Sequence, residues 1–396
     1  MNKKFIGTLA AAALLVSLAP VGASAAVTAD AAPAVKKEEK AHAQDRILVK
    51  FKAGKDSKAV SKKLGAEEAK SLGNGKSEWK LVKVPNGKAA EMLEKFNADA
   101  DVELAEPDYI HTVQLTPNDP SYGSQWHHPN IQANLAWDIT RGTSARTIAI
   151  IDTGVDIQHG DLSSKIVAGY DFVNNDTNAD DDQGHGTHCA GIAAAIGMNS
   201  YQGTGVDMNA RIMPVKVLNS QGSGYTSDII DGVYYAADNG AHVLSMSLGG
   251  GGATSAFQSA IDYAHSRGKI VVAAAGNSNT SAKSYPAAYN NVIAVASTTS
   301  SNTRSSFSNY GTWVDIAAPG SSIYATANGG GMTTMSGTSM ATPVVAGVLS
   351  LAWSKNTGYS NTTVINRVLS TADAISGTGT YWMNGKVNAY KAVNGF

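Results

Sequence analysis

A single cysteine, Cys189, among 396 residues means that no disulfide can form within the chain. Stability has to come from packing or from bound ions. Charge is scarce as well: 16% of the residues are charged and the net charge is -1. That balance gives no electrostatic footprint for nucleic acid or for an anionic membrane, so neither is expected as a partner. Beyond the amino terminus there is no long apolar run. The longest, Pro343 to Trp353, falls well short of the roughly 20 residues that span a bilayer. Glutamate is absent beyond Pro107, where every acidic residue is an aspartate. A break of that kind implies two segments with different histories.

The amino terminus runs from Lys3 and Lys4 through an apolar stretch, Ile6 to Leu18, to Pro20 and the small residues Ala23, Ser24 and Ala25. This order describes a secretory signal peptide over residues 1–25 and an exported, extracellular product. Residues 26 to 40 are rich in Ala, Lys and Glu without apolar periodicity and read as a flexible lead-in. Strand-like runs at Ile47–Phe51 and Trp79–Val84, helix-like runs at Ser57–Leu64 and Lys88–Phe96, and an extended piece from Val102 to Val113 predict a small α+β domain.

Beyond Leu115, apolar runs alternate with helical patterns. Strands are expected at Thr147–Ile151, Arg211–Val217, His242–Ser247, Ile270–Ala275 and Val292–Ala296, and helices at 185–196, 226–238, 253–267 and 339–353. Strands that are apolar throughout, separated by helices, predict an α/β fold with a parallel central sheet covered on both faces. Chemistry in such folds sits at the carboxyl ends of the strands.

Asp152 ends one such strand, before Thr153 and Gly154. Taken alone it is as well read as a turn or capping residue. His185 follows an aspartate-rich loop and opens His185-Gly186-Thr187-His188-Cys189-Ala190-Gly191. Ser339 lies among small residues, Ser336-Gly337-Thr338-Ser339-Met340-Ala341, where a long helix begins, and a helix amino end favours developing negative charge. A serine hydroxyl needs a base within reach and a group to fix that base's tautomer, and His and Asp supply those roles. Asn277 closes the strand Val271–Gly276 at the same edge. Its amide is a candidate second oxyanion donor, or a plain turn residue.

The segment Asp171, Asn174, Asp176, Asn178, Asp180 is an array of oxygen ligands suited to calcium in a flexible loop, or else a solvated acidic turn. A zinc site on His185 and His188 would leave Ser339 and Asn277 unexplained.

Together these motifs resemble the subtilisin-like serine proteases, thermitase-type enzymes in particular, across essentially all of residues 115–396. The Asp-Thr-Gly motif falls on Asp152–Gly154, His-Gly-Thr-His on His185–His188 and Gly-Thr-Ser-Met-Ala on Gly337–Ala341. The resemblance implies a catalytic set of Asp152, His185 and Ser339, with Asn277 as oxyanion residue. It implies a substrate cleft between Gly222, Ser223, Gly224, Tyr225 and Ser247, Leu248, Gly249, Gly250, with Ala273, Ala274, Ala275 and Gly276 on the other wall. Glycine- and alanine-rich walls without acidic residues predict broad cleavage of proteins and peptides after large apolar residues. Structural Ca2+ at two or more sites is implied, one of them using Asp119, Asp161 and Asn199 with carbonyls of Ile196, Tyr201 and Gly203. Residues 26–114 resemble the family's propeptide, an inhibitor and folding aid with its domain near 45–112, which the protease cuts away near Thr112–Leu115. The mature form, 115–396, is expected to be a monomer. Departures from the family pattern fall at His159-Gly160-Asp161, where proline is usual in place of Gly160, and at Val206-Asp207-Met208-Asn209.

Overall fold

The computed structural model describes residues 42–110 and 115–396. The expected signal peptide and lead-in, and residues 112–114 of the expected junction, lie outside the described residues. The described residues divide into two compact units, 42–110 and 115–396.

In the amino-terminal unit, four antiparallel strands are ordered Glu67–Ser71, Trp79–Lys83, His42–Phe51 and Val102–Tyr109. The helix Ala89–Asn97 buries Ala89, Met92 and Phe96, an i, i+3, i+7 stripe. They meet Ile47, Val49 and Val82 in one small core. Asp56 caps the second helix, Ser57–Lys63, by accepting from the backbone N–H groups of Lys58 and Ala59. The strand Glu67–Ser71 was not expected from the sequence. It is an edge strand with no buried residue, so its Glu-Glu-Ala-Lys-Ser carries no apolar alternation.

The carboxyl-terminal unit is built on seven parallel strands. Their order is Ile316–Pro319, Val292–Thr298, Ile270–Ala274, Val243–Met246, Thr147–Asp152, Arg211–Lys216 and Tyr170–Asp171. Successive residues of a strand point to opposite faces, and here both faces are dry. Ile148 and Ile150 enter one core, with the helices His185–Ala194 and Thr338–Trp353. Ala149 and Ile151 enter the other, with the helices Thr226–Asp238 and Ser255–Ser266. This double coverage explains why the strands read as unbroken apolar runs. The strands the sequence did not reveal, Tyr170–Asp171 and Ile316–Pro319, are the short outer ones. No helix among the described residues is long and apolar enough to cross a membrane.

Two departures from the expected motif pattern have a steric cause. A Cβ added at Gly160 would lie 2.7 Å from the Tyr201 ring, so that ring fills the place of a side chain. Asp207 is fully buried, accepts from the Ser350 hydroxyl at 2.6 Å, and occupies the space that a side chain on Gly142 would need.

Candidate active site

Asp152 is the last residue of a strand buried along its whole length, and its carboxylate is fully inaccessible. Oδ1 accepts from the Thr153 backbone N–H at 2.8 Å and from His185 Nδ1 at 2.7 Å. Burial works against protonating His185, yet the adjacent Asp152 carboxylate outweighs it and holds the imidazole well above its ordinary pKa. Placing a proton on Nδ1 leaves Nε2 as the free base.

Ser339 is the second residue of the helix Thr338–Trp353, which contains Pro343. Proline has no N–H to give to the carbonyl four residues earlier, which is that of Ser339. The freed carbonyl instead accepts from the Ser247 hydroxyl at 2.7 Å and the Cys189 thiol at 3.5 Å. A proline within the helix thereby ties the serine's backbone to the strand end at Ser247 and to the His185 helix. The Ser339 hydroxyl donates to the Ser247 carbonyl at 3.1 Å rather than to His185. Catalytic hydrogen bonds of this kind often tighten only when substrate is bound.

Asn277 is oriented by Thr338, whose N–H and hydroxyl both donate to its Oδ1 at 2.9 Å. Its Nδ2 is thereby turned the other way. A Cβ placed on Gly337 would lie 3.5 Å from Asn277 Nδ2 and 3.5 Å from the Ser339 backbone nitrogen. Two donors therefore flank a space that the missing side chain leaves open, the arrangement an oxyanion requires. Asn309, which the sequence did not single out, holds this segment. It donates to the Ala275 carbonyl at 2.8 Å and accepts from the Ser278 N–H at 2.9 Å.

His185, Ser339 and Asn277 line one cleft of about 760 Å³. Gly222, Ser223, Gly224, Ser247, Leu248, Gly249, Gly250, Ala274 and Gly276 line it as expected. Tyr225, Ala273 and Ala275 do not. Tyr225 is 78% exposed, and Ala273 and Ala275 face the core under the helices because strand alternation leaves only Ala274 on the other side. Gly251, Gly252, Phe257, Tyr285 and Pro286 join the lining without having been expected there. The Tyr285 segment reaches it through a bridge to Gly251, a pairing across sequence distance that no local pattern announces. Among the described residues, no Asp, Glu, Lys or Arg lines the cleft.

Among the expected metal ligands, Asp119 and Asp161 are both buried. The loop 196–203 wraps them: Met198 and Asn199 donate backbone N–H groups to Asp119, and Asn199 Nδ2 donates to Asp161 at 2.9 Å. Burial raises the Asp161 pKa, and the Asp119 charge adds to the rise. Two buried carboxylates that repel one another suit a hard cation. Met198, Ser200 and Gln202 all have positive φ in this loop, which also carries the Ile196, Tyr201 and Gly203 carbonyls. The second array is less converged. Asp171 accepts from the Val173 and Asn174 N–H groups and from Asn174 Nδ2, while Asp180 accepts from the Ile157 N–H. Asp176 accepts from the Asn178 N–H, so Asp171 and Asp176 cap their own turns while Asp180 ties the loop to the segment at Ile157.

Residues 143–392 match the model of the Subtilase family, and residues 28–108 match the Fervidolysin N-terminal prodomain. The chain belongs to the subtilase family of serine proteinases and carries a prodomain ahead of the proteinase unit. It is 52% identical to Thermitase from Thermoactinomyces vulgaris over 279 residues, covering 70% of this chain and 99% of that one. A Thermophilic serine proteinase from Bacillus sp. (strain AK1) is 44% identical over 364 residues, 91% of this chain and 90% of the relative. Among solved structures, a protease from Pseudoalteromonas arctica superimposes with a TM-score of 0.67 at 34% identity, covering 71% of this chain and 99% of that one.

Proposed function

We propose that this proteinase is a secreted endopeptidase of broad, apolar-directed specificity, made as a precursor that processes itself. In this reading residues 1–25 are the signal peptide, 26–114 the propeptide and 115–396 the mature, monomeric enzyme. Ser339 is the nucleophile, His185 its base, Asp152 the group that orients the base, and Asn277 the oxyanion donor. The observation that carries the reading is the 2.7 Å pairing of the buried Asp152 with His185 Nδ1, at the cleft that also holds Ser339.

The Ser339 hydroxyl leaves the Ser247 carbonyl and attacks the scissile carbon, passing its proton to His185 Nε2 as the Oγ–C bond forms. The oxyanion takes the Ser339 N–H and Asn277 Nδ2. The imidazolium, held by Asp152, returns the proton to the leaving amine, and water then hydrolyses the acyl-enzyme with His185 again as base. A peptide strand fits between Gly222–Gly224 and Ser247–Gly250, and an uncharged, glycine-rich wall supports preference for large apolar side chains.

Calcium at the Asp119, Asp161 and Asn199 cluster would neutralise two buried carboxylates and brace the loop 196–203, once Asn199 turns towards the ion the Oδ1 that now accepts from the Tyr201 N–H and the N–H donors of Met198, Asn199 and Gly203 give way; its effect would be structural rather than chemical. At the 171–180 loop, Asp171 and Asp180 would first have to exchange backbone N–H donors for the ion.

The test is mass spectrometry of purified wild-type and Ser339→Ala chains incubated with calcium, while casein cleavage is followed. The wild type is expected to shed a fragment ending near Thr112–Leu115 and to digest casein, and the variant to do neither. If the variant matures alone or digests casein, Ser339 is not the nucleophile.

A further inference from the structure

The helix that opens on His185 has Gly184 at its N-cap, at φ 109°, with no side chain to receive the free N–H groups of the first turn. Side chains from elsewhere receive them. The His185 N–H donates to Gln183 Oε1 at 2.8 Å, the Gly186 N–H to Thr153 Oγ1 at 2.9 Å and the Thr187 N–H to Asp181 Oδ2 at 2.9 Å. The Thr153 hydroxyl then donates to Asp181 Oδ1 at 2.9 Å and the Thr187 hydroxyl to Oδ2 at 2.5 Å. Oδ1 also accepts the Gln183 and Gly184 N–H groups, at 3.0 and 2.9 Å. Asp181 is buried, and among the described residues no lysine or arginine forms an ion pair with it. Both of its carboxyl oxygens are held by hydrogen bonds.

Thr153 is the residue after Asp152, and Gly186 is the residue after His185. The link from the Gly186 N–H through the Thr153 hydroxyl to Asp181 therefore fixes the backbone that carries the base against the backbone that carries its orienting carboxylate. A second link runs from the Asp156 N–H to Thr187 Oγ1 at 2.9 Å. The two segments lie so close that a Cβ on Gly186 would lie 2.0 Å from the Gly154 carbonyl oxygen. We infer that Asp181, acting through the hydroxyls of Thr153 and Thr187, is the positioning residue that sets the His185 imidazole against the Asp152 carboxylate. The inference rests on the roles proposed above for Asp152, His185 and Ser339. Misplacement by about 1 Å at such a contact costs on the order of 100-fold in rate.

Asp181→Asn keeps one acceptor oxygen but turns an NH2 group toward the Thr187 N–H. Thr153→Val removes the linking hydroxyl, and Thr153→Ser restores it. Each is made in the full chain and matured, its sites are counted with a serine-directed phosphonylating reagent, and kcat and KM per site are followed across the acid limb. Among the described residues, the titratable groups that act on His185 are Asp152 at 2.7 Å, the Cys189 sulfur at 4.0 Å and, by its charge, His188 on the same helix, and none is changed. Asp181→Asn and Thr153→Val are expected to lower kcat per site by about 100-fold with KM within about twofold. Their acid limb should move to lower pH as Asp152 loses its grip on the imidazole, while Thr153→Ser stays within about twofold of wild type. Equal kcat per site for Thr153→Val and Thr153→Ser overturns the inference. A fall in thermal midpoint with kcat and acid limb unchanged also overturns it, as does the loss of every titratable site in both Asp181→Asn and Thr153→Val, which marks a purely structural role. Hydrolysis by Ser339→Ala would instead sink the catalytic reading itself.

Discussion

The two units of this chain use charge in opposite ways. In the amino-terminal unit, lysines and carboxylates pair at the surface: Lys50 with Glu78 and Glu103, Lys55 with Asp101, Lys63 with Asp99, and Lys88 with Glu91. Its apolar side chains form one small core around Ile47, Val82 and Phe96. The carboxyl-terminal unit instead buries Asp119, Asp152, Asp161, Asp181 and Asp207, and it has an apolar core on each face of its sheet. Surface pairs contribute little to stability, whereas a buried carboxylate fixes whatever donates to it, as Asp152 Oδ1 fixes His185 Nδ1 and the Thr153 N–H. The large unit can therefore hold a precise site, while the small one depends on a few apolar contacts.

The sharpest way to break this comparison is Phe96→Ala. Removing that buried ring should cost about 3–5 kcal/mol, comparable to the whole stability of a domain this small. Hydrogen exchange in the Ser339→Ala chain should show protection lost across residues 42–110 and kept across 147–152. Next is Asn277→Ala, for which kcat should fall about 10²- to 10³-fold with KM little changed. Steady-state kinetics on a chromogenic peptide checks this, with unfolding midpoints unchanged in both units.

Acid should separate the units further. Burial holds His128 and His188 at about 4, below the ordinary 6.5. The unfolded chain therefore takes up protons first as the pH falls. The contribution of these two histidines to the large unit should be full above 6.5 and decline towards 4, by roughly 3 kcal/mol for each. His185, raised by Asp152, works the other way, its contribution being lost as the pH rises through its folded pKa. In the small unit, the Asp101 N–H and Lys63 hold Asp99 below the usual carboxylate range, so its contribution is lost only at lower pH. Urea titrations over that window, read by exchange in each unit, decide the matter. Hydrolysis should also fail as pH drops through a value above 6.5, because the base, held well above it by Asp152, has to be neutral.

Removing calcium with a chelator should destabilise the large unit alone, by up to about 3 kcal/mol if the ion had been present at a hundred times its dissociation constant, read as a fall in that unit's thermal midpoint. An Asp161→Asn chain that responds to chelation as the wild type does would remove the proposed cluster from consideration. The smallest effect is expected at Lys88→Ala, where breaking the exposed pair with Glu91 should leave the midpoint of either unit where it was.

Much of this was legible in the residues themselves. Apolar runs of strand length fixed the inner strands to within a residue or two, and the motif ends at Asp152, His185 and Ser339 fell at one sheet edge, because a parallel sheet aligns its carboxyl ends. Local pattern failed where burial failed, at the exposed strand Glu67–Ser71, and where a strand was too short to show a period, at Tyr170–Asp171. The family resemblance put Ala273 and Ala275 on the cleft wall with Ala274, but only Ala274 lines it. Ala273 and Ala275 share a stretch with Ala274, and only the direction of the pleat separates them.

By itself, the sequence determined the class of fold, the division into two segments and the residue types available for acyl transfer, since these follow from periodicity, composition and short contiguous motifs. Only the tertiary structure decided which groups meet: the Asp152 carboxylate with Nδ1, the Ser339 carbonyl freed by Pro343 with the Ser247 hydroxyl, and Asp181 with Thr153 and Thr187. Each of these contacts joins side chains or backbone from different elements. Directional hydrogen bonds act over about 3 Å, and no reading along the chain measures such a distance between segments that only packing brings together.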